Sequence, residues 1–154
     1  MSVIENRLRE HGFELPPVAA PVASYIPAQQ TGNLVFTSGQ LPTVNGQLLA
    51  EGILGVDVDE VTAAKCAEQS VLNALSAIKA VIGDLDKIVK IVKVVGFVAS
   101  APTFTKQSVV VNGASDLLAL AFGESAQHAR SSVGMAVLPL NAPVEIELIV
   151  EVTQ

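Results

Sequence analysis

Ile88-Val89-Lys90-Ile91-Val92-Lys93-Val94-Val95-Gly96-Phe97-Val98 is a nearly continuous β-branched and aromatic run, broken only by Lys90, Lys93 and Gly96. A run of that kind reads as a central strand covered on both faces. At a period of two residues, Lys90 and Lys93 fall on opposite faces and form no patch. Upstream, Val61, Ala64, Ala67, Val71, Leu75, Ile78 and Ile82 recur at helical spacing and stop at Gly83-Asp84, which predicts a long amphipathic helix. Downstream, beyond Pro102-Thr103-Phe104, the positions Val110, Ala114, Leu117, Leu118 and Ala121 predict a second helix.

Farther out, residues 130–138 read as a strand and residues 139–143 as a turn. In the last strand, residues 144–152, Val144, Ile146, Leu148, Val150 and Val152 face one way while Glu145, Glu147, Ile149 and Glu151 face the other. Leu34-Val35-Phe36-Thr37 is a short strand with a tight exit at Ser38-Gly39, and Asn45-Gly46 is a two-residue turn signal joining residues 41–44 to 47–49. Residues 15–27 carry Pro16, Pro17, Pro21 and Pro27, which forbid helix and suggest an extended segment, an edge strand holding Tyr25. Ile4, Leu8 and Phe13 space a short N-terminal helix that His11-Gly12 would end. This order predicts an α+β fold with both main helices on one face of a mixed sheet. The apolar strands require the second face to be buried as well, and contacts between subunits would bury it.

The 154 residues suit a single domain, with residues 1–15 as a helical extension and 20–152 as the core. Half the residues are apolar and the mean hydropathy is +0.50, with no tryptophan and 4% aromatics, so small Ala and Val supply much of that surface. Charges interrupt every rich segment before it reaches the roughly 18 residues that cross a bilayer. The N-terminus alternates charges and has no apolar region before a cleavage site, so the expected compartment is the cytoplasm. Net charge is -6 with no Lys/Arg cluster interleaved with aromatics, which argues against a nucleic-acid partner. Cys66 is the single cysteine and falls mid-helix, which excludes an intrachain disulfide and reads as a buried thiol rather than a nucleophile.

Arg130 is the one arginine beyond the first nine residues and heads an apolar strand. A planar fork of donors at that place asks for a bidentate acid partner, and a buried salt bridge or a rim charge is the alternative. Glu145 is a candidate general acid or base, although periodicity alone reads it as part of a solvated face shared with Glu147 and Glu151. Tyr25, the only tyrosine, reads as a buried or interface ring or as a ligand contact. His11 and His128 lie far apart with no partner at metal-ligand spacing, and His128 reads as a loop histidine.

Gly32-Asn33-Leu34-Val35-Phe36-Thr37-Ser38-Gly39-Gln40-Leu41-Pro42 resembles the first signature block of the RidA/YjgF family of reactive-intermediate deaminases, also labelled endoribonuclease L-PSP. Ala129-Arg130-Ser131-Ser132-Val133, continuing through Leu138-Pro139 to Val144-Glu145-Ile146-Glu147, resembles the second. The resemblance implies a chorismate-mutase-like fold in a homotrimer, the three sheets forming a central barrel, with sites in the clefts between subunits. It implies that Arg130 clamps a substrate carboxylate and that Glu145 positions the hydrolytic water. Tyr25 would line the cleft, Ser38 and Gly39 would contact ligand, Ser132 would offer its backbone N–H where the family usually has a cysteine, and Asn112 matches a cleft asparagine.

The implied reaction is hydrolysis of 2-imino or enamino acids to 2-keto acids and ammonia, without metal or cofactor. Ala23-Ser24-Tyr25 replaces the family's glycine-proline before the tyrosine, and the stretch before Arg130 is longer, so cleft shape and substrate differ. A non-catalytic trimer binding small carboxylates is the alternative, with ribonuclease third. Having both Arg130 and Glu145 favours the enzyme, since a pure carboxylate binder needs only the arginine.

Overall fold

The computed structural model describes residues 2–21 and 23–154; Val22, inside the proline-rich stretch, lies outside the described residues. Helix α1 (Val3–Glu10) is followed by strands β1 (Ala28–Thr31), β2 (Leu34–Thr37), β3 (Thr43–Val44) and β4 (Gln47–Leu48). The long helix α2 (Glu60–Ile82), strand β5 (Ile88–Ala99), helix α3 (Gln107–Phe122) and strands β6 (Ala129–Met135) and β7 (Val144–Val152) complete the order. One mixed sheet runs β1-β2-β7-β5-β6, with β5 and β6 parallel and the other pairs antiparallel. The Asn45-Gly46 hairpin forms as expected, both residues at positive φ (53° and 78°), the twist that two-residue hairpins need.

Helix α2 starts where the Asp59 carboxylate accepts from Thr62 N–H at 2.7 Å and ends at Gly83, φ 85°, the left-handed stop that glycine permits. Helices α2 and α3 pack on each other, α2 also against β7 and α3 against β5 and β6. Both lie on one face, over Val35, Ile91, Val94, Val98 and the even-numbered residues of β7, all buried. Gly113 of α3 sits so close to α2 that a Cβ there would overlap the Ala64 carbonyl. Cys66 lies in this helix layer, fully buried. Val61, expected in the buried stripe, is exposed, while Ala63 two residues on is fully buried.

Four expectations change. The edge strand begins at Ala28, not at Tyr25: Pro27 has no N–H to donate, and the pairing with β2 starts at Ala28–Thr37. The strand predicted over 130–138 ends at Met135, and residues 139–141 turn with Leu140 and Asn141 at φ 58° and 63°. The middle strand of the sheet is β7, and among the described residues the second face of β5 is covered only toward its end, where Ala99 and Phe97 pack with Leu138, Ala142, Leu41, Leu48 and Ile53, while Val95 is half-buried. Finally, register shifts between Ile88 and Lys90 and between Ile91 and Lys93 pair Lys90 with Glu151 and Lys93 with Ile149, so both lysines share that open face. An extra residue in a bulge resets the alternation that a regular strand would keep.

The N-terminal helix is tied down at its start. Ser2 and Glu5 form a capping box, and the Asp86 carboxylate accepts from the Val3 and Ile4 N–H groups at 2.8 and 3.0 Å. Glu5 also pairs with Lys79 of α2 at 2.6 Å.

Candidate functional site: two half-sites on one chain

Arg130 sits in register with Val94, which faces Leu148; both are buried beneath the helices, so Arg130 projects toward α3. Its Nη1 donates to Asn112 Oδ1 at 2.8 Å and to Ser115 Oγ at 3.1 Å, and Nη2 donates to the Ser108 carbonyl at 3.3 Å. Ser108, Asn112 and Ser115 follow one another along a single stripe of α3 at helical spacing. Among the described residues the ion pairs are Glu5–Lys79 and Glu60–Lys106, so Arg130 is not held by a salt bridge. Three of its five N–H groups are committed to neutral oxygens, leaving Nε–H and one Nη2–H, a pair suited to one carboxylate.

Ser115 Oγ also lies 2.9 Å from His128 Nε2, while His128 Nδ1 meets the Ala126 carbonyl. A carbonyl only accepts, so Nδ1 carries the proton and Nε2 takes the serine hydroxyl hydrogen. The hydroxyl oxygen is thereby turned toward Arg130. His128, expected as a loop residue, thus supports the arginine indirectly. Asn112 does not border the cavity that holds Glu145; it holds Arg130. Ser132 lies two residues along the same side of β6, its hydroxyl buried without a hydrogen-bond partner among the described residues.

Glu145, the second residue of β7, lies on the opposite face, paired with Phe97. It is half-buried, and burial pushes its carboxyl above the ordinary carboxylate range, with the Glu147 charge adding in the same direction. Gly39 packs directly on this carboxyl, and a Cβ there would overlap it. The backbone is re-aimed at this point: Leu148 N–H donates to the Thr37 hydroxyl at 2.9 Å, and Gln40 resumes pairing with Ile146. Ser38 donates its hydroxyl to the Ile26 carbonyl at 2.6 Å and its N–H to the Pro27 carbonyl, fastening the chain that carries Tyr25.

Tyr25, Gly39 and Glu145 line one cavity of about 780 Å³. Residues 14–21, the 43–46 hairpin turn and Leu140 form its walls. Arg130, Asn112 and Ser132 do not border it. The chain therefore holds these residues in two separate places, one with a desolvated carboxyl and a tyrosine, the other with a pre-positioned arginine. The polar stripe on α3 was the sequence signal for the arginine's supports. The proline-rich wall had no comparable signal, because irregular chain has no period. Among the described residues no group of three His, Cys, Asp or Glu side chains is placed to hold a metal ion.

A family model described as "YjgF/chorismate_mutase-like, putative endoribonuclease" matches residues 5–152. The chain is 40% identical over 157 residues to Protein TCP17 of Trypanosoma cruzi, covering 98% of each. The crystal structure of Atu1372 from Agrobacterium tumefaciens, of unknown function, superposes with a TM-score of 0.90 at 48% identity over 97% of this chain and 92% of that one. RidA from an Antarctic Psychrobacter species superposes with a TM-score of 0.61 at 28% identity over 90% and 94%. With its mixed sheet and one-sided helices, the chain has the chorismate-mutase-like fold and belongs to the YjgF/RidA family.

Proposed function

We propose that the protein hydrolyses 2-imino and enamino acids to 2-keto acids and ammonia, in cytoplasmic homotrimers whose sites join Arg130 of one copy to Tyr25, Gly39 and Glu145 of the next. The observation that carries this reading is the pairing of an arginine with two uncommitted donors and a desolvated carboxyl that no single chain brings together. The family membership and the kinship with a RidA support it. The more open part of the second sheet face, bearing Phe36, Val95, Val133 and Ile149, is the surface that would close around a shared axis.

In this reading Arg130 grips the substrate carboxylate and fixes the imine carbon beside Glu145. Glu145 accepts a proton from water as the water oxygen bonds to the carbon of the protonated imine, giving a neutral carbinolamine. The same carboxyl then gives that proton to nitrogen and takes the hydroxyl proton as the C–N bond breaks, so that the carbonyl forms and ammonia leaves. A carboxyl raised toward the working pH suits both transfers. Ser38 holds the Tyr25 segment, and the Ser132 backbone N–H and Tyr25 orient the ligand.

Ammonia release from freshly generated 2-iminopropionate tests the proposal, comparing wild type with Arg130→Ala and Glu145→Ala at equal oligomer content. Acceleration by wild type and its loss in both variants is the expected result. A folded wild-type oligomer without acceleration on any imine would leave a carboxylate-binding role in its place.

A further inference from the structure

We infer that the protein's preferred substrates are 2-imino acids with bulky apolar side chains, received by the wall that residues 14–21 add to the Glu145 cavity. This rests on the hydrolytic reading of that same site. The cavity of about 780 Å³ is in the size range of pockets that enclose drug-sized ligands, far more than 2-iminopropionate fills. With the imine carbon beside Glu145, the side chain points into the remaining volume.

That volume is lined by Leu15, Pro17, Val18, Val44 and Leu140, together with the polar Gln40, Thr43, Asn45 and Asn73. Among the described residues no lysine or arginine lines it, and Glu14 and Glu145 do, so a substrate with an acidic side chain meets repulsion there without a partner. The wall is anchored at its beginning. The Ser76 hydroxyl donates to the Pro16 carbonyl at 2.7 Å, and Phe13 and Leu15 pack on the main core. Three prolines between residues 16 and 21 reduce the freedom that this irregular segment would otherwise have.

The test compares kcat/KM for the imines of leucine, alanine and glutamate, each generated in place by an amino-acid oxidase. The leucine imine should exceed the alanine imine on the order of tenfold or more, the discrimination expected of added methylenes in an apolar pocket, and the glutamate imine should be the poorest. Val18→Asp and Val44→Asp, at positions 43% and 39% exposed and therefore tolerant of charge, should pull the leucine-to-alanine ratio toward one. Equal or better use of the alanine imine by wild type overturns the inference.

A second arm needs no catalysis: binding of 4-methyl-2-oxopentanoate and of pyruvate, measured by calorimetry. Tighter binding of the branched acid supports the inference, and equal binding overturns it. If no imine is hydrolysed while the branched acid still binds preferentially, the hydrolytic reading falls and the pocket assignment stands.

Discussion

Arg130 and Glu145 stand on opposite faces of the same sheet, Arg130 level with Val94 under the helices and Glu145 level with Phe97 on the open side. Rotamer changes cannot bring two such side chains together through a packed sheet, so a site that uses both must draw them from different copies. Arg130→Ala and Glu145→Ala should each be inactive alone. Co-refolded in equal amounts, they should regain about one quarter of wild-type activity, since that share of random interfaces pairs an intact arginine with an intact glutamate. Ammonia release from the mixture checks this; no recovery would mean that the two residues do not share a site.

Burial raises the Glu145 pKa above its ordinary 4.5, so the folded state holds the proton more tightly than the unfolded chain. The stability linked to that proton is complete below the unfolded value and is lost as pH rises through the raised folded value. Glu145→Gln should therefore match wild type in denaturant midpoint at acidic pH and exceed it at neutral pH. Wild-type activity should fall as acid protonates the same carboxyl. Urea titrations at several pH values and a kcat/KM profile test the two signs; a stability gap that widens toward acid would contradict the assignment.

Asn112 is exposed and its amide oxygen holds Arg130 at 2.8 Å. Losing one hydrogen bond to a charged group costs about 1.5 to 3 kcal/mol. In Asn112→Ala this should appear as a rise in KM on the order of tenfold, as the guanidinium loses its fixed position, with kcat much less affected and thermal stability lowered by no more than that cost. A fall in kcat with KM intact would place Asn112 in the chemical step instead.

At the α2–α3 crossing, a Cβ on Gly113 would overlap the Ala64 backbone carbonyl, which cannot rotate aside. Gly113→Ala should destabilise the fold by about 1 to 3 kcal/mol even though alanine is the better helix former. Thermal denaturation measures it, and a stabilised variant would show that the helices separate without cost.

The Cys66 thiol is fully buried and pushed up to about 11 by desolvation. It should stay unreactive toward a disulfide reagent at pH 8 in the native protein and react at once in denaturant. Rapid native labelling would indicate that the helix layer opens readily.

The helices, the long strand and the alternation of β7 were legible in the sequence because burial on one side imposes a period, 3.6 for α2 and α3 and two for β7. The helical faces placed Cys66 inside, and the family motif singled out Arg130 and Glu145 as candidates. Other features are not local properties of the chain. The bulges of β5 arise from pairing with β7, and they turn Lys90 and Lys93 to one face against the simple alternation. The start of β1 depends on where β2 finds a partner, so Tyr25 falls outside the strand expected to hold it. The separation of Arg130 from Glu145 follows from strand register, and the grip of Asn112 and Ser115 on the guanidinium follows from how α3 crosses β6. Periodicity reports which side of an element is buried; only the packed sheet decides what each buried or exposed side chain meets.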